Sequence, residues 1–167
     1  MTEQDRPDMS SSPALHIFLV VVDDSEEMHA ALRYACNQAR ITGAKVALLR
    51  VITPVESQHF AAIGDLMEKE ARDGAEALLH KLAGTVNQLS GQLPALYVRE
   101  GSNPYDALLA LIGEESQISL LVLAAGTEPG GPGPLVSALT GKHVNRLKVP
   151  MTIVPGGLTD EEIDILS

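Results

Sequence analysis

The chain has 167 residues, which suits one domain, and a core of that size buries roughly 70% of the unfolded surface, so no disulfide or metal staple is needed. A net charge of −10 and an aromatic content of 3% without tryptophan exclude a nucleic-acid backbone as main partner: counterion release has no source, and few rings could stack on bases. Hydrophobic residues, 45% of the chain, come in short bursts, none near the roughly 18 apolar residues of a membrane span.

Residues 1–14 mix charge, proline and serine without the apolar core and basic flank of a signal peptide. They read as a mobile N-terminal tail on a cytoplasmic protein. Ile17 to Val22 (IFLVVV) is a β-branched apolar run without helical period, the pattern of a strand buried on both faces. Asp24 and Glu27 then have capping-box spacing, so Asp24 is expected to cap the first helix. Met28, Ala31, Leu32, Ala35 and Ala39 follow at helical spacing up to Gly43. Cys36 falls in this pattern and reads as a small core residue. Val46 to Ile52 is a second strand, stopped by Pro54.

A connection over about residues 53–64 precedes a second helix from Asp65 to Gly91. Its stripe is Ala75, Leu78, Leu79, Leu82, Val86 and Leu89, and Glu68 to Asp73 form a solvated face. Leu96 to Arg99 is a short third strand. Asn103 and Pro104 open a third helix, with proline at the favoured first position. Ile118 to Ala125 is the fourth strand, and the Gly/Pro-rich loop Gly126 to Pro134 leads into a fourth helix over about Leu135 to Leu147. Val149 to Val154 is the fifth strand, with Pro150 near its start as an edge tolerates. Thr159 and Glu162 form a second capping box, with Leu158 and Ile163 as a hydrophobic staple. This short acidic helix is expected to dock on a partner subunit.

Alternating strands and helices imply right-handed crossovers and a parallel sheet covered on both faces. The expected fold is therefore α/β: one doubly wound domain over residues 15–156, five strands in the order 3-2-1-4-5, and an acidic helix or tail over residues 157–167. A ligand crevice in such a sheet lies beyond the strand carboxyl ends where the order reverses, here between strands one and four. Asp23-Asp24-Ser25, the end of strand two at Val51 to Thr53, and the Gly-rich loop should meet there. Gly126, Gly130, Gly131 and Gly133 ahead of a helix suit a phosphate, and Lys142 beside Gly141 could add a point charge. The alternative is a wide turn with Lys142 in solvent. A dinucleotide fingerprint is missing after strand one, and the P-loop pattern fails at Val136 and His143.

From Ile17 to Gly156 the chain resembles the universal stress protein family. The resemblance rests on Val22-Asp23-Asp24-Ser25, on Arg50-Val51-Ile52-Thr53-Pro54, on Glu100-Gly101-Ser102-Asn103-Pro104, and on Val149-Pro150-Met151-Thr152-Ile153-Val154-Pro155. It implies a small cytoplasmic stress-response homodimer paired through the fifth strand, Val149 to Val154, with ATP as ligand in many members. Asp23 would contact base or ribose and the backbone of Val51 the adenine. Phosphates would lie on a G-x-x-G-x9-G-S/T segment; apart from the resemblance, Mg²⁺ could sit at the Asp23-Asp24 pair only with phosphate oxygens or water completing its six-oxygen shell. Gly131 and Gly141 keep the nine-residue spacing. Glu128 stands where the first glycine belongs, Lys142 replaces the hydroxyl residue, and Pro129, Pro132 and Pro134 remove donors.

Two other readings stay open: a nucleotide-free dimeric interaction protein of the same fold, and a receiver-like phosphoacceptor domain, which VVVDDSEEM also resembles. Against the receiver, strand three ends without the acceptor aspartate and strand five without the lysine; Asp65 falls on a helical pattern, and Thr127 alone could match the residue after strand four. His16, His29, His59, His80 and His143 lack metal-ligand spacing, and Ser25 lacks a His/Asp partner set, so no metal centre or efficient catalysis is expected beyond slow ATP hydrolysis.

Overall fold

A computed structural model describes residues 15–54 and 61–167. The expected tail over residues 1–14, and His59 within the second connection, lie outside the described residues. The elements are β1 (Ile17–Val21), α1 (Met28–Thr42), β2 (Lys45–Ile52), α2 (Ala61–Ser90), β3 (Ala95–Glu100), α3 (Pro104–Glu114), β4 (Ile118–Ala125), α4 (Pro134–Thr140), a 3-10 turn (Val144–Arg146), β5 (Met151–Pro155) and α5 (Asp160–Leu166). All strand pairings are parallel, in the order β3-β2-β1-β4-β5. This is the expected doubly wound sheet.

Period-two alternation in the central strand divides the core into two layers. Val20 points to the α1/α2 side with Leu32, Leu79, Leu82 and Val86. Leu19 points to the α3/α4 side with Leu108, Leu111 and Leu139. Both β1 residues are fully buried, which explains why the strand reads as a continuous apolar run. Cys36 is also fully buried, and burial pushes its thiol up to about 12, so it is an inert core group. No described helix is long and apolar enough to cross a membrane.

Four local expectations are corrected. α1 starts at Met28, not at an Asp24 cap: Glu27 is already helical, at φ −65° and ψ −23°, and no side chain caps the helix. Arg50, projecting from β2, takes Asp24 instead at 3.0 Å. α2 is already helical at Ala61, four residues before Asp65. Its Glu68 to Asp73 face is solvated apart from half-buried Ala71. The fourth helix stops at Thr140 because Gly141, at φ −114° and ψ −117°, leaves helical space, and only the separate 3-10 turn follows.

The fourth correction concerns α5. Its capping box forms as expected, with Thr159 Oγ1 accepting from the Glu162 N–H and Glu162 Oε2 from the Thr159 N–H. The helix docks on α1 of its own chain, however. Ile163 is 1% exposed, Leu158 packs on the same cluster, and Arg33 donates two 2.8 Å hydrogen bonds to Asp164. Asn37 adds a third at 2.8 Å. α5 therefore extends the α1/α2 layer beside β5.

Candidate functional site

At the carboxyl ends of β1, β2 and β4 the chain leaves a crevice of about 270 Å³. Crossovers leave β1 and β4 toward opposite faces of the sheet, so a gap opens between their ends. β1 supplies Val21, and the turn after it Val22, Asp23 and Ser25; β2 supplies Arg50 and Val51. Leu123 and Ala124 come from β4, Pro104 from the start of α3, and Glu27 and Met28 from the start of α1. Pro132 to Val136, ending the loop and opening α4, close the far wall. Walls of valine, leucine and proline with a few polar groups suit a flat, partly apolar ligand fixed by hydrogen bonds.

The two aspartates face different partners. Asp23 Oδ1 accepts from the Ser25 N–H at 2.9 Å and from the Ser25 hydroxyl. This local turn holds the carboxylate at the crevice and leaves Oδ2 free of a protein hydrogen bond among the described residues. Asp24 is drawn onto Arg50, which also donates to the Val22 carbonyl at 3.4 Å. The pair does not converge as metal ligands, and no group of three or more His, Cys, Asp or Glu gathers anywhere among the described residues.

Of the expected site residues, Asp23 and Val51 line the crevice; Gly126, Gly130, Gly131, Gly141 and Lys142 do not. Gly141 and exposed Lys142 follow the seven residues of α4, about 10 Å along its axis from the loop at 1.5 Å per residue. The loop folds on itself: the Gly126 N–H donates to the Pro132 carbonyl at 3.0 Å, and the Gly131 N–H to that of Glu128 at 3.1 Å. Gly133 is the loop glycine that reaches the crevice, at φ +106°, a conformation an L side chain resists. Glu128 is exposed and absent from the walls.

Three contributors escape the sequence reading. Glu27 looks like a capping partner, yet a Cβ built on Gly126 would lie 3.0 Å from Glu27 Oε1, and one on Gly156 would lie 2.3 Å from Glu27 Cβ. Its side chain is thus wedged between the roots of the loops after β4 and β5. Arg50 interrupts the apolar run Val46 to Ile52 as its one charged residue, a signal present in the sequence. Pro104 is placed by Asn103, whose Oδ1 accepts from the Asp106 N–H at 2.8 Å, while Arg146 reaches Asp106 at 2.7 Å. The Asn103 amide and the Arg146 guanidinium hold the Asp106 carboxyl below its ordinary range. His143 stacks on Tyr105 with ring centroids 4.5 Å apart, so it braces the connection between α3 and α4 from outside the crevice. Asp65 lies within α2 rather than at a strand end, away from any receiver-like position.

No curated protein matches the sequence significantly. Among solved structures, the chain is similar to the universal stress protein UspA of Lactobacillus plantarum, with 19% identity, 86% of this chain and 99% of that one covered, and a TM-score of 0.68. A universal stress protein in complex with cAMP matches at 19% identity and TM-score 0.62, over 86% of this chain and 99% of the other. One from Archaeoglobus fulgidus in complex with dAMP matches at 15% identity and TM-score 0.52, over 84% and 97%. At these identities the likeness shows the fold. The model of the universal stress protein family matches residues 15–155, and the chain belongs to that family.

Proposed function

We propose that the protein binds an adenine nucleotide in the crevice between β1 and β4 and acts as a cytoplasmic, homodimeric stress-response module rather than an efficient enzyme. The observation that carries this reading is that Asp23, after β1, and Val51, on the neighbouring β2, line one apolar-walled crevice at the switch point. The Asp23 carboxylate is positioned to accept from ribose hydroxyls, and the Val51 backbone to meet the base edge. Two relatives described with cAMP and dAMP support an adenine ligand. The triphosphate form, ATP, is the form the family resemblance implies. Among the described residues no histidine, lysine or cysteine lines the crevice, and the Ser25 hydroxyl is held by the Asp23 carboxylate of its own turn with no His/Asp set behind it.

Calorimetry tests this reading. Asp23→Ala is expected to weaken AMP binding at least roughly tenfold, about 1.4 kcal/mol. Unchanged affinity would place the nucleotide elsewhere. A nucleotide-free module is the second reading, favoured by the loop N–H groups already spent on the loop itself; it predicts no heat with any adenine ligand.

Pairing through β5 is the proposed dimer mode. β5 is an edge strand with Ile153 exposed, and an unpaired edge can add a second strand. Ile153→Lys is expected to shift the sedimenting species from dimer to monomer; an unmoved dimer would exclude this edge.

A further inference from the structure

We propose that Glu27 makes this crevice selective for an adenine nucleoside or nucleoside monophosphate over a nucleoside triphosphate. The inference rests on the adenine-site reading above and names the ligand class within it. Its starting point is the fixed position of the Glu27 side chain. A Cβ on Gly156 would lie 2.3 Å from Glu27 Cβ and 3.3 Å from its Cα, so the two backbones are in close approach. The carboxylate then rests against Gly126, at the root of the loop after β4. Glu27 also lines the crevice, with Asp23 and the loop residues Pro132 to Pro134, and its carboxylate lies by Gly126, whose N–H holds the Pro132 carbonyl. A phosphate chain leaving a ribose held at Asp23 and heading for the loop passes this carboxylate. In a half-buried site like charges are screened far less than in water.

The loop does not offset that repulsion. Pro129, Pro132 and Pro134 carry no N–H, and Gly126 and Gly131 donate theirs to loop carbonyls. At most Thr127, Glu128, Gly130 and Gly133 keep a donor to offer, and of these only Gly133 reaches the crevice wall. Among the described residues no cation lines the crevice at this end. Arg50, the one cation lining the crevice among the described residues, is on the β2 wall and engaged with Asp24 and the Val22 carbonyl. Lys142 lies beyond α4. A single phosphate can point out to solvent, whereas three cannot all avoid the carboxylate.

The test is calorimetry on the full chain with adenosine, AMP and ATP, Mg²⁺ being present throughout, for the native protein and Glu27→Gln. Glutamine keeps the shape of the wedge and removes only its charge. Native protein is expected to bind adenosine and AMP within roughly threefold of each other and ATP at least tenfold more weakly, a gap of about 1.4 kcal/mol. Glu27→Gln is expected to strengthen ATP binding at least roughly fivefold relative to adenosine, because the neutral ligand does not sense the charge. ATP binding as tightly as AMP to the native protein, or no gain for ATP in Glu27→Gln, would overturn the inference and leave the adenine site standing. No binding of any of the three to either protein would overturn the site and the inference together.

Discussion

Ile163→Ala lowers the unfolding free energy by about 2–5 kcal/mol, the range for truncating a buried isoleucine. α5 has seven residues, too few to hold a helix in water without tertiary contacts. Ile163 at 1% exposure is its hydrophobic anchor, placed one turn after the Thr159 cap. Ile165→Ala is the control: at 84% exposure it is expected within about 0.5 kcal/mol of the native value. Equal effects from the two substitutions would show that α5 is not docked as described.

The polar side of the same dock gives it a pH dependence. Hydrogen bonds from Arg33 and then Asn37 hold the Asp164 carboxyl down to about 2. A depressed carboxyl contributes stability above its unfolded pKa, near 3.9, and loses it as pH falls through the folded value. The contribution is therefore complete above about pH 4–5 and fades toward pH 2. Asp164→Asn should flatten that limb of the acid-unfolding profile; an unchanged profile would mean the carboxylate carries no such linkage. Screening at this exposed position keeps the effect smaller than that of Ile163.

Gly156→Ala destabilises by about 1–3 kcal/mol, since no space exists for the added carbon. Its Cβ would lie 2.3 Å from Glu27 Cβ and 2.7 Å from the Ala125 carbonyl oxygen, and that oxygen already accepts from the Gly156 N–H at 2.9 Å. Relief requires the start of α1 to move off the end of β5. Glu27 and Met28 ride on that start and line the crevice, so ligand affinity should change with stability. Gly84→Ala offers the opposite sign. It sits inside α2 with nothing within 4 Å of an added Cβ, and alanine there is expected to stabilise by roughly 0.5–1 kcal/mol. Thermal or denaturant unfolding of the pair reads both. A neutral Gly156→Ala would mean that α1 and β5 do not meet as closely as described.

The fold was legible because its strongest signals are local and periodic. Strands buried on both faces read as unbroken apolar runs, and Gly43 and the Asn103-Pro104 pair mark helix ends through backbone chemistry within a few residues. Where contacts from distant parts of the chain decide, sequence spacing misleads. The Asp24–Glu27 spacing meets a capping-box rule, yet Arg50 comes from the neighbouring strand to take Asp24. Apolar residues continue past Thr140, but Gly141 breaks the helix through a backbone turn that the hydrophobic pattern does not encode. The acidic terminal helix has a legible cap, whereas its docking surface, Arg33 and Asn37, lies more than a hundred residues away.

The site was legible in place and only partly in composition. Topology brings Asp23 and Val51 together, and both line the crevice. The glycines drew attention as a phosphate cradle, but three prolines fold their loop onto itself, and Gly133 with Pro132 and Pro134 forms the wall instead. Glu27 was hidden because its role depends on two glycines, Gly126 and Gly156, that meet it only in the folded chain.

Nucleotide binding at the switch-point crevice is tested most directly by an amide chemical-shift titration of the isotopically labelled chain with AMP. Saturable shifts are expected, concentrated at Asp23, Ser25, Glu27, Val51 and Gly133, with β3 and α5 unmoved. No shifts, or shifts confined to the β5 edge or to α5, would contradict binding there.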